Sequence, residues 1–83
     1  MDKADQALID RAKSCGGDPH LVNGLIGGFR GSTQAGMPFV APAFREVLEW
    51  YCNLCELSIR SDWYRKPDRH EINDKFRNIL KRD

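Results

Sequence analysis

Residues 41–61 read APAFREVLEWYCNLCELSIRS, and the rest of the chain is organised around them. On a helical wheel at about 100° per residue, Arg45, Glu46, Glu49, Asn53, Glu56 and Arg60 gather in one polar sector. Phe44, Val47, Leu48, Trp50, Tyr51, Cys52, Leu54, Cys55, Leu57 and Ile59 fill most of the remainder, interrupted only by the small Ser58 and Ser61. No two-residue alternation survives, which argues against a strand. The pattern predicts one long helix over residues 42–61, with Pro42 in the first turn, where its missing N–H costs nothing. An apolar arc that wide has to be covered from more than one side. The margin residues Trp50 and Leu57 are expected to stay partly uncovered and to make a homodimer possible.

Working outward, residues 2–15 read as a first helix. Ala4, Leu8, Ala12 and Cys15 form its apolar stripe with Ile9 beside it, and Asp5, Gln6, Asp10 and Lys13 lie outside. Gly16-Gly17 ends it. Asp18-Pro19 opens the next element with an N-cap acceptor and a residue that lacks the N–H. Leu21, Val22, Leu25, Ile26 and Phe29 then predict a short helix to about Gly28. A hairpin turning at Asn23-Gly24 is the competing reading, weakened by flanking strands of two or three residues. Residues 27–41 hold four of the seven glycines and read as a loop, either a packed crossover or a mobile functional segment. Beyond the central stretch, Asp62 to Pro67 form a turn. Asp68 with Glu71 makes a capping box for a last helix whose apolar stripe is Ile72, Phe76, Ile79 and Leu80.

The expected fold is therefore all-α: a single domain over residues 1–83, a compact array of about four helices around the long central one. Thirteen basic and twelve acidic residues leave a net charge of +1, so no global field draws the chain to nucleic acid or to an anionic membrane. No stretch is long and apolar enough to span a bilayer. Three cysteines, with no apolar leader before them, point to a reducing, cytoplasmic setting.

Chemistry-bearing patterns are few. Cys52-Asn-Leu-Cys55 with Cys15 and His20 has the composition of a Cys3His zinc set. Mid-helix cysteines on an apolar arc read better as buried thiols, so no metal and no cofactor is expected. The glycine-rich stretch around Arg30, Ser32 and Thr33 lacks any phosphate-loop spacing and follows no strand. His20 and His70 belong to no catalytic motif, and an enzyme is not expected.

Two binding readings remain. Trp63, Tyr64, Arg65 and Lys66, joined by Arg30 if it lies nearby, are residue types that concentrate binding energy at protein interfaces. They predict a small non-enzymatic protein that docks onto a larger protein, as an adaptor or as an inhibitor of the kind phages and mobile elements encode. For Trp63 alone, folding back as a lid over Ile59 and Phe76 is an equal alternative. The second reading is a nucleic-acid-binding or regulatory protein. Arg60, Arg65, Lys66, Arg69, Arg77 and Lys81, with Lys75 and Arg82, place eight of the thirteen cations in the last 24 residues, diluted by five acids to about +3.

Overall fold

The computed structural model describes residues 2–82. Four helices follow one another: α1 (Lys3–Lys13), α2 (Pro19–Gln34), α3 (Val40–Arg60) and α4 (Arg69–Leu80), with no strand among the described residues. The other three helices pack on α3, α1 also touches α2, and α2 and α4 make no extensive contact with each other. The expected all-α array around a long central helix is the observed architecture.

α3 begins two residues before the expected start, because the chain already coils through Ala41 N–H to Met37 O (3.2 Å). Val47, Leu48, Tyr51, Cys52 and Cys55 are fully buried. Phe44, Trp50 and Leu54 are half-buried, and Leu57 and Ile59 are 36% and 68% exposed. The buried face is thus narrower than the wheel implies. Trp50 and Leu57 are incompletely covered, as their place at the margin requires. Leu8, Ile9, Ala12 and Cys15 from the N-terminal segment, Val22, Leu25, Ile26 and Phe29 from α2, and Ile72 from α4 complete the core.

α1 is rotated relative to its expected face. Ala4 is exposed, while Asp5 is 5% exposed and ion-paired with Arg45 of α3. A carboxylate is buried only when something compensates its lost hydration. Arg45 does so from across the interface, its guanidinium also resting 5.8 Å over the Phe29 ring. A second tie, Arg11 to Glu56, is bidentate, at 2.8 Å from Nε and 2.7 Å from Nη2.

The expected loop from Gly27 is not a loop. α2 continues through Gly27, Gly28 and Gly31 to Gln34, and the connection shrinks to residues 35–39. Helical glycines cost roughly 0.5–1 kcal/mol each relative to alanine. The helix persists because Val22, Leu25, Ile26 and Phe29, one stripe at 3.6-residue spacing, are all 6% exposed or less. Gly28 is sterically required, since a Cβ there would overlap the Phe44 ring. The helix stops at Gly36, with φ +68°, where Gly36 N–H reaches Thr33 O (3.1 Å) and Met37 N–H reaches Ser32 O (3.0 Å). That pair of bonds is a Schellman cap.

α4 starts as its sequence implies. Asp68 accepts from Glu71 N–H at 2.9 Å, and Glu71 accepts from Asp68 N–H at 3.4 Å. Ile72 is its one buried residue; Phe76 and Ile79 are half-buried, and Leu80 is 52% exposed.

Candidate docking site

The turn from α3 to α4 is fixed at both ends and displayed in between. Ser61 caps α3 through its N–H to Leu57 O (3.0 Å), and its hydroxyl accepts from Trp63 N–H (3.2 Å). Tyr64 N–H closes the turn on Ser61 O (3.4 Å). At the other end Pro67 is buried beside Tyr51 and pins the chain to the core. Between these anchors Trp63 is 94% and Tyr64 46% exposed. The lid arrangement does not occur: Trp63 projects from the surface, and Phe76 instead meets Phe44 edge-on with ring centroids 4.5 Å apart. Leu57 and Ile59, on the last turns of α3, add exposed apolar surface at the same end of that helix.

The cations of this region fall into two groups. Arg65 pairs with Glu71, Arg77 with Asp74 (3.0 Å) and Arg82 with Glu46 (2.5 Å), and Lys75 lies 5.8 Å over Trp50. Arg60, Lys66, Arg69 and Lys81 have no carboxylate within ion-pair reach among the described residues. Arg30 is exposed but sits in α2, ten residues beyond His20, or about 15 Å along the axis. His20 is the α2 residue that meets the α3–α4 segment, so Arg30 is not brought to the turn.

Lys66 and Arg69 line an open cleft of about 510 Å³ whose other walls are Asp18, His20 and Leu21 of the α2 start, Tyr51, Pro67 and Asp68. Tyr51 anchors its floor. The hydroxyl accepts from Asp18 N–H at 3.0 Å, and burial pushes its pKa up to about 12. Gly17 leaves room for the tyrosine, since a Cβ there would overlap the ring. Sequence reasoning could not find this cleft, because its walls come from three separated segments.

The four residues of the zinc set do not assemble. Cys15, Cys52 and Cys55 are free and buried together, while His20 is exposed at the start of α2. Burial, reinforced by Cys15, pushes Cys52 up to about 12 and Cys55 up to about 11. Lys66 counters this at Cys55, its charge being felt through the cleft. Cys15 donates to Ala12 O at 3.2 Å. Protonated thiols are neither ligands nor nucleophiles, and the described residues offer no group of three His, Cys, Asp or Glu placed to hold a metal ion. His70 is exposed on the first turn of α4. No helix is long and apolar enough to cross a membrane among the described residues. No family model, curated protein or solved structure matches the chain.

Proposed function

We propose that this protein is a non-enzymatic interaction module that docks onto a larger protein through the Trp63–Lys66 turn, as an adaptor or an inhibitor. The observation that carries the reading is the 94% exposure of Trp63 on a turn anchored at both ends. A large aromatic left in water on a pre-ordered backbone is available for burial by a partner at little conformational cost. Tyr64, Lys66 and Arg60 supply a polar rim. Nucleic acid is the weaker fit, because the ion pairs of Arg65, Arg77 and Arg82 within the chain reduce the charge available for phosphate. The three reduced, buried thiols suit a cytoplasmic protein.

The test is the double variant Tyr64→Ala/Arg65→Ala, alongside Trp63→Ala, used as bait against an extract of the native host. The only structural tie removed is the exposed Arg65–Glu71 pair, worth at most about 1 kcal/mol, so helical signal and melting temperature should hold. Partner capture should weaken by about 2 kcal/mol or more. Unchanged capture, or unfolding of the variants, refutes the site.

A further inference from the structure

Because α2 and α4 both pack on α3 and hardly on each other, a seam is left between them. It holds an open groove of about 350 Å³, floored by Leu25 and Ile72 and walled by Leu21, Phe44 and Phe76. Gly24 opens the α2 wall: a Cβ there would meet nothing within 4 Å. The groove shares His20, Leu21 and Arg69 with the cleft under Lys66, so the two form one continuous trough.

Its ends differ in chemistry. Along α4, Phe76 lies seven residues from Arg69, about 10 Å by helical rise. The Phe76 end is apolar. At the Arg69 end the carboxylates are already engaged: Asp18 accepts from His20 N–H (2.8 Å) and Leu21 N–H (3.4 Å), and Asp68 from Glu71 N–H. Lys66 and Arg69 have no acid partner among the described residues. The start of α2 and the start of α4 also open there, adding the positive ends of two helix dipoles. An occupant is therefore selected for an apolar side and, about two helical turns away, negative charge.

We propose that the trough between α2 and α4 docks an amphipathic helix of a protein partner, with its apolar stripe on Leu25, Phe44, Ile72 and Phe76 and its acidic end against Lys66 and Arg69. A helix laid along a two-helix groove buries an i, i+3, i+4, i+7 stripe, and the bare Gly24 wall lets its backbone approach closely. This inference rests on the docking reading and names the chemistry of the partner.

The probe is a synthetic helical peptide of about 16 residues, roughly four turns, with leucines on one face and two glutamates two turns along the same face. It is titrated into the isotope-labelled full chain while backbone amide shifts are followed. The expected perturbations centre on Gly24, Leu25, Ile72 and Asn73. Gly24→Leu fills the groove at a position with open space and a better helix former. It should keep or raise the melting temperature and weaken peptide binding by about tenfold or more. Lys66→Glu/Arg69→Glu should weaken it comparably, and a peptide carrying lysines in place of the glutamates should bind worst. The proposal is overturned if the peptide leaves these amides unmoved, or if Gly24→Leu binds it within about twofold of wild type. It is also overturned if the lysine peptide binds as well, or if a short single-stranded DNA displaces the acidic one. Gly24→Leu and Trp63→Ala, compared as bait, separate the two readings. Capture lost only with Trp63→Ala keeps the turn and sinks the trough, whereas capture lost only with Gly24→Leu does the reverse.

Discussion

The two helices that carry most of the core reach the same end by opposite routes. α3 has 21 residues and no glycine; α2 has 16 residues, four of them glycine. In α3, local propensity, apolar period and burial all agree, and the helix is legible from its own residues. In α2 they conflict. The glycines weaken the helix locally, and the buried stripe from Val22 to Phe29 holds it in place against its neighbours. α3 is the support on which α2 is shaped, and the close approach of Phe44 to Gly28 marks where that shaping is tightest.

The largest expected effect tests α3 as the support. Leu48→Ala removes a fully buried side chain from its centre and should cost about 3 kcal/mol or more in urea unfolding. A loss under about 1 kcal/mol would mean that the core does not depend on α3. The next effect splits neighbouring glycines by sign. Gly28→Ala drives a methyl into the Phe44 ring, which is itself packed on Phe76, and should destabilise by about 1–3 kcal/mol. Gly27→Ala and Gly31→Ala, each facing open space, should stabilise by about 0.5–1 kcal/mol apiece. Equal responses at residues 27 and 28 would abolish the contrast.

The smallest effect concerns α1 on α3. Glu56 is held below the usual carboxylate range by its hydrogen bonds from Arg11. A depressed acid contributes stability above its unfolded pKa of about 4.3, and that contribution disappears as pH falls through the lower folded value. Both side chains are more than one-third exposed, so water screens the pair and the change should stay below about 1 kcal/mol. Glu56→Gln should flatten that part of the acid limb in a pH series of melting temperatures.

How much was legible follows from where each signal resides. Helix starts at Asp18-Pro19 and Asp68, and the period of residues 42–61, are local, and the structure places them within about two residues. Residues 27–34 were misread because glycine lowers helix propensity wherever it stands, whereas the stripe that overrides it acts only once α3 is present. Asp5 was placed outside because its partner Arg45 is 40 residues away. The aromatic turn was visible as residue types, but its display depends on Pro67 being pinned beside Tyr51. The trough left no trace in any single segment.

The slender attachment of α4, with Ile72 as its one buried residue, gives the molecule two tiers of cooperativity. Amides of α3 exchange with solvent deuterium only when the whole chain unfolds, whereas those of α4 exchange through a cheaper partial opening. In that opened state Trp50 loses the cover of Lys75, and Phe44 loses Phe76. The last helix is thus a hinged shutter over an otherwise finished three-helix body. Any ligand that bridges α2 and α4 would slow exchange in α4 while leaving the centre of α3 unchanged.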